Sequence, residues 1–282
     1  MPLNADAIAA LAFPPQQVRI SDKDAMLFAL SVGMGADPMD DDELRYVYEQ
    51  DLEIFPTMPI VLGHPGPWMA DASLGINRQM LVHGTQRLML HGRLQVHQPL
   101  IARNRVLELV DKGAAGGALI VMERALHDAA SGELLARIES GTFCRADGGF
   151  GGRRQLSYEF RAVPERAADG TVEVHTVPSQ ALLYRLNGDR NPLHASPAFA
   201  ARAGFARPIL HGLCTYSLAA RALMKLNPGR RLRCLEARFS KPVYPGETIR
   251  VVAWTVADGV SFNARVDARN ATVLDRGFAV FD

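Results

Sequence analysis

At 282 residues the chain has room for one large domain or two of ordinary size. Its 48% hydrophobic and 22% charged residues belong to a globular protein, not a disordered one. A net charge of +1 supplies no global field for nucleic acid or a membrane surface, and no apolar run reaches the roughly 18 residues that span a bilayer.

The chain opens MPLNADAIAALAF, with an acid and no basic flank, unlike a secretory leader. Its three cysteines, Cys144, Cys214 and Cys234, cannot all pair and lack metal-ligand spacing, which fits a reducing compartment. Further along, Leu88, Leu90, Leu94 and Val96 alternate with Arg87, Met89, Arg93 and Gln95, which predicts a strand. Val106 to Val110, Ala118 to Glu123 and Glu133 to Phe143 are predicted strands too. A connector runs from Arg145 to about Gly170 and contains GGFGGRR. It suits either a mobile interdomain loop or, through Arg153 and Arg154, contact with the phosphates of a nucleotide-bearing ligand. The P-loop pattern and the GxGxxG fingerprint are both absent.

Tyr184 to Gly212 is the densest stretch in chemistry. Its GDRNPLH core carries Asp189, Asn191 and His194 within six residues. Gly188 allows a tight turn ahead of them, and Pro192 pushes Asn191 towards extended geometry. Seventeen residues after His194 comes His211-Gly212 (211 − 194). Leu213, Tyr216, Ala220, Leu223 and Leu226 then recur at helical spacing up to Asn227-Pro228-Gly229. Gly212 therefore stands at a helix start, where free N–H groups favour negative charge. A carboxylate, an imidazole and such a helix end suit acid–base chemistry on a substrate that develops an oxyanion. Beyond the helix, Ile249, Val251 and Ala253, then Val260, Phe262, Ala264 and Val266, have strand alternation. Turn signals at Pro245-Gly246, Asp258-Gly259 and Asn270 separate these runs. Periodicity alone predicts α+β, mainly antiparallel.

The first half reads as a worn copy of the second. Phe28-Ala29-Leu30 aligns with Tyr184-Arg185-Leu186, and Asp37-Pro38-Met39-Asp40 with Asn191-Pro192-Leu193-His194, so Asp40 stands at the histidine position. Both halves reach a His-Gly step, at His83-Gly84 and His211-Gly212. Pro245 lies 33 residues past the second step (245 − 212), but Pro99 only 15 past the first (99 − 84). The first half is therefore expected to lack the long helix, and the space so left to hold a substrate's acyl chain.

Tyr184, Leu186, Gly188-Asp189, Asn191-Pro192-Leu193-His194, Phe199-Ala200, Gly204-Phe205 and Pro208-Ile209-Leu210-His211-Gly212 together resemble the motif of the MaoC-like (R)-specific, type 2, enoyl-CoA hydratases. Ala237-Arg238-Phe239, Lys241 to Gly246, Val82-His83-Gly84 and Asp111-Lys112-Gly113 extend the likeness over most of the chain from about residue 80. It is nearest to the two-domain hydratase module of eukaryotic peroxisomal multifunctional enzymes. The resemblance implies a double hotdog: antiparallel sheet wrapping a helix, twice, with the helix complete only in the second repeat. Residues 1–145 would be a non-catalytic repeat accommodating the acyl chain, 146–170 the connector and 171–282 the catalytic repeat.

The implied reaction is reversible hydration of trans-2-enoyl-CoA to (3R)-3-hydroxyacyl-CoA. Asp189 and His194 would share one water, with the acid and base roles unassigned. Asn191 would orient that water or the loop, and the Gly212 N–H would bind the thioester oxygen. His83, Gly84, Lys112, Arg190, Phe239 and Arg153 would bind the substrate. No metal and no cofactor are expected beyond the coenzyme A of the substrate. The expected partner is an acyl-CoA, with no nucleic acid or membrane, and a homodimer is expected. The chain ends Val280-Phe281-Asp282, not Ser-Lys-Leu, so a cytoplasmic location is expected. The alternatives are a dehydratase for a branched, steroid-derived or carrier-bound thioester, a thioesterase, and a non-catalytic acyl-CoA binding module.

Overall fold

The computed structural model describes residues 3–282. The first half carries α1 (Ala5–Ala9), β1 (Gln16–Val18), α2 (Asp22–Ser31), α3 (Asp41–Leu44) and four long strands. These are β2 (Leu81–Leu90), β3 (Leu100–Asp111), β4 (Ala118–Asp128) and β5 (Leu134–Cys144). The second half carries β6 (Gly170–His175), α4 (Gln180–Tyr184), α5 (Pro197–Arg202), α6 (Gly212–Leu226) and the strands β7 (Leu232–Phe239), β8 (Thr248–Val256), β9 (Gly259–Val266) and β10 (Ala271–Phe281).

All strands pair antiparallel in one sheet, ordered β1-β3-β4-β5-β2-β7-β10-β9-β8-β6. Each half of the chain builds one half of this sheet. The seam is β2 against β7, with Thr85 opposite Arg238 and Met89 opposite Cys234. This is the double hotdog. Alternation along β8 buries Ile249, Val251 and Ala253, which places one sheet face on the core.

Helix α6 is the core of the second half. Tyr216, Ala219, Ala220, Ala222 and Leu223 are all inaccessible, and the Tyr216 hydroxyl donates to the Leu235 carbonyl at 2.6 Å. The alanines let the helix lie close to the sheet, and Asn227 and Gly229 (φ +72) end it as the sequence predicts. Among the described residues the first half has no counterpart. After α2 its chain runs through α3 and short 3-10 turns, packing Phe28, Tyr46 and Phe55 together at ring distances of 5.4–6.3 Å.

One predicted strand is too long. β2 stops at Leu90, because the N–H groups of His91 and Gly92 both turn onto the Leu135 carbonyl. Leu94 and Val96 therefore lie outside the strand, and both pack against the core.

Candidate active site

The Asp189–His194 loop is shaped by its own side chains. Gly188 adopts φ +120, which residues with a Cβ rarely do. Asp189 Oδ1 accepts the Asn191 N–H at 3.0 Å, and Asn191 Oδ1 accepts the Leu193 N–H at 3.0 Å. Asn191 thereby caps the 3-10 turn Pro192–His194, with proline at its first position. Of the two roles open to Asn191, its carbonyl oxygen performs that of holding the loop. The first half anchors this loop as well: the Asn187 side chain donates to the Ser31 hydroxyl and the Tyr184 carbonyl, both at 2.9 Å.

Two backbone carbonyls dictate the histidine tautomers. His194, 8% exposed, donates from Nδ1 to the Ile209 carbonyl at 2.9 Å. A carbonyl only accepts, so the proton sits on Nδ1 and the lone pair on Nε2. His211 stacks on His194 at a ring distance of 3.6 Å and donates from Nε2 to the Asp189 carbonyl at 3.2 Å. It thus ties the Asp189–His194 loop to the start of α6. Burial lowers the His194 pKa below 6.5, and burial together with His194 pushes that of His211 down to about 4. Tyr184 lies against His211 at 5.0 Å with its hydroxyl buried, as a packing residue.

Sequence spacing shows no metal-ligand cluster, yet folding brings ligand atoms of Asp189, His194 and His211 within 4.8 Å of one another. Each histidine has already committed one nitrogen to a carbonyl, and the Nδ1 of His211 is buried without a partner.

Gly212 is the first residue of α6, and the His211 side chain before it makes no capping bond, so among the described residues the first-turn N–H groups meet no side-chain acceptor. A Cβ on Gly212 would lie 3.1 Å from the Phe239 ring. Phe239 in turn packs on His83 at 4.6 Å. His83 donates from Nε2 to the Thr85 carbonyl (3.1 Å) and Gln86 Oε1 (3.0 Å), and burial pushes its pKa down to about 4. Gly84 sits at a break in the β2–β5 register, where a Cβ would meet the Gly141 carbonyl and Leu119 at 3.2 Å. The two His-Gly steps therefore differ: one lies inside a strand and the other starts a helix.

These groups open on one cavity of about 1110 Å³. Asp189, Asn191, His194, Gly212, His83, Gly84, Lys112 and Phe239 all line it. Its wall carries six cations, Lys112, Arg145 and Arg154 from the first half and connector and Arg238, Lys241 and Arg276 from the second, against the acids Glu159 and Asp189. Two predicted residues are not brought there. Arg190 is exposed beside the loop, and Arg153 lies 3.5 Å from Glu108. Arg154, its neighbour, is the connector arginine on the wall. The glycine-rich loop is also not a free anion nest, because the Asp111 carboxylate accepts the N–H groups of Gly113, Gly149 and Gly151 at 2.6–2.7 Å. Sequence reading missed Arg276, which sits at φ +50 in a β10 bulge, and the buried hydroxyls of Thr85 and Tyr158, whose side chains line the cavity together. Only the three-dimensional bulge and the seam between the halves give them a place.

Residues 19–146 match the MFE-2 hydratase 2 N-terminal domain, and residues 159–275 match the MaoC like domain. A 3-hydroxyacyl-thioester dehydratase Y of Mycobacterium tuberculosis is 36% identical, over 92% of this chain and 90% of that protein. The peroxisomal enoyl-CoA hydratase 2 of Arabidopsis thaliana is 35% identical, over 96% of this chain and 93% of that protein. The crystal structure of a MaoC-like dehydratase from Phytophthora capsici aligns with a TM-score of 0.86 at 31% identity, covering 99% of both chains. Both halves and the loop between Asp189 and Gly212 fall within these matches, and the chain belongs to the MaoC-like hydratase 2 family.

Proposed function

We propose that the protein is a hydro-lyase that reversibly hydrates trans-2-enoyl-CoA to (3R)-3-hydroxyacyl-CoA in fatty acid metabolism. The observation that carries this reading is the convergence of the Asp189 carboxylate, neutral His194 and the start of α6 on one cation-rimmed cavity. The Gly212 N–H binds the thioester oxygen and stabilises the negative charge that builds there, a contribution of ~3 kcal/mol for one such donor. A water sits between Asp189 and His194. As its oxygen bonds to C3, the Nε2 lone pair of His194 takes one of its protons. The C2=C3 π pair moves towards C2 and the thioester oxygen. The imidazolium then returns a proton to C2 on the same face, so one water is added and His194 ends neutral. Asp189 accepts a hydrogen bond from the other water proton and steadies the imidazolium.

The cations of the wall, Lys112, Arg154, Lys241 and Arg276 among them, take the phosphates of coenzyme A. No cofactor takes part beyond the coenzyme A of the substrate. The repeat 1–145 accommodates the acyl chain, 146–170 connects, and 171–282 does the chemistry. A second cavity of about 1020 Å³, where the first half lacks a long helix, supports this division. The protein works as a cytoplasmic homodimer, a compartment that suits its three free cysteines.

The test mixes purified protein with crotonyl-CoA and follows loss of the conjugated thioester absorbance, coupled to a dehydrogenase specific for the (3R) alcohol. Turnover with reduction of the coupling cofactor is expected. Release of free coenzyme A, or no turnover by folded protein on any trans-2-enoyl-CoA, overturns the reading.

A further inference from the structure

One buried carboxylate clasps the connector to the first half. Asp111, the last residue of β3, is 1% exposed. Its Oδ1 accepts the N–H groups of Gly113 and Gly149, both at 2.7 Å, and its Oδ2 accepts that of Gly151 at 2.6 Å. Its own N–H donates to the Arg153 carbonyl at 2.8 Å. Gly149, Gly151 and Gly152 stand at φ +96, +90 and +92, which lets the loop turn its N–H groups onto an anion. Here that anion belongs to the chain itself. The connector also lies directly on the turn between β3 and β4, since a Cβ on Gly148 would run into the Gly113 and Gly117 carbonyl oxygens.

The clasp sorts the two connector arginines. Arg153, held by its carbonyl, sends its side chain to Glu108 at 3.5 Å. Arg154, the next residue, lines the catalytic cavity, and a Cβ on Gly113 would lie 3.2 Å from its guanidinium. Arg154 is thus set beside the neighbour of Lys112, on the same wall. Lys112 is fixed separately, through its N–H to the Gly117 carbonyl at 2.9 Å. Arg153 is spent on Glu108, whereas among the described residues Lys112 and Arg154 form no ion pair.

We propose that Asp111 is a positioning residue for coenzyme A recognition: by clasping the glycine loop it holds Arg154 beside Lys112, and the two cations take a phosphate group of the substrate together. The proposal rests on the hydratase reading above. An arginine carried on an untethered glycine-rich loop would lose phosphate affinity to the entropy of ordering that loop. The clasp removes this cost before the substrate arrives. Only a carboxylate suits the position, because both its oxygens accept; an amide would turn a donor onto the Gly151 N–H.

The test is Asp111→Asn, close to isosteric, with kcat and KM measured for crotonyl-CoA and for crotonyl-pantetheine, which lacks the nucleotide and its phosphates. KM for crotonyl-CoA is expected to rise about tenfold, with its kcat unchanged and with kcat/KM for crotonyl-pantetheine unchanged. Arg154→Gln is expected to raise KM for crotonyl-CoA as much, and the double variant Asp111→Asn/Arg154→Gln no further. A merely structural Asp111 would weaken both thioesters alike and add to Arg154→Gln. Either of those results, or an unchanged KM for crotonyl-CoA, overturns the proposal. If Asp111→Asn does not fold, Gly151→Ala decides by the same split, since it strains the clasp at φ +90 with Asp111 in place and no neighbour within 4 Å of the added Cβ. If the wild type turns over neither thioester, the hydratase reading fails on its own. The Kd of butyryl-CoA then decides: about tenfold weaker in Asp111→Asn supports the clasp, and an equal Kd overturns it.

Discussion

At His194 the proton is held on Nδ1 by the Ile209 carbonyl, so the nitrogen left for chemistry is a base. Burial lowers its pKa from 6.5, which keeps it unprotonated at neutral pH. On the proposed mechanism activity needs the neutral form, which is lost only as pH falls through the lowered value. kcat/KM is expected to stay level from pH 8 to 6.5 and to decline below that, which a pH–rate profile checks; an acid limb centred above 6.5 contradicts the assignment. Asp189→Asn and His194→Gln should each lower kcat by about 10²–10⁴-fold. Asp189 is exposed and the loop stands apart from the core, so the Asp189→Asn variant should keep the wild-type Tm. Wild-type-like kcat in either variant would refute the mechanism.

At the scale of elements, the start of α6 lies close against the Phe239 ring, with room there for a glycine only. Gly212→Ala puts a Cβ 3.1 Å from that ring, so either the ring or the helix start must shift. A loss in kcat of about 10–100-fold is expected from a displaced donor, with the helical circular dichroism intact; unchanged kcat would remove Gly212 from the oxyanion role. The stretch of the first half that aligns with the Asp189–His194 loop makes a helix cap. Asp40, at the histidine position, caps α3 by accepting the N–H groups of Asp42 and Glu43 at 3.0 and 3.2 Å. Asp40→Ala should leave kcat unchanged while costing about 0.5–2 kcal/mol of stability, read from denaturant unfolding. A loss of turnover comparable to that of Asp189→Asn would mean that the first half is active.

At the scale of the whole molecule, the buried neutral histidines make stability depend on pH. His83 and His211 have folded pKa values near 4 against 6.5 for the free group. Between these values the unfolded chain binds more protons than the folded one, so stability rises with pH across that window and is lost as pH falls from 6.5 towards 4. Tm is expected to drop between pH 7 and 5, and His83→Gln should flatten the slope; an equally steep slope in that variant would place the effect elsewhere. The two halves are stitched by more than the β2–β7 seam. Arg87 of β2 pairs with Glu236 of β7 at 3.0 Å and Glu139 of β5 at 2.6 Å, and Glu43 of α3 pairs with Arg221 of α6 at 2.6 Å. Neither half is therefore closed without the other.

What the sequence determined by itself was local or periodic. Alternation reported most of the strands, the 3.6-residue stripe from Leu213 to Leu226 reported α6, and the glycine–proline frame around Asp189 and His194 reported a rigid polar loop. The shortened interval after His83-Gly84 reported a missing helix. Each of these depends on neighbours within a turn or a strand. The tertiary structure decided what depends on residues far apart in the chain. It gave the His194 proton to Nδ1 through Ile209 and set His211 beneath it. It put Arg154 on the cavity wall in place of Arg153, and filled the glycine loop with Asp111. It also brought Thr57 against Ser217, 160 residues away. Tautomer and cavity-wall charge both follow from which groups meet in the folded chain, and no spacing along the chain encodes that meeting.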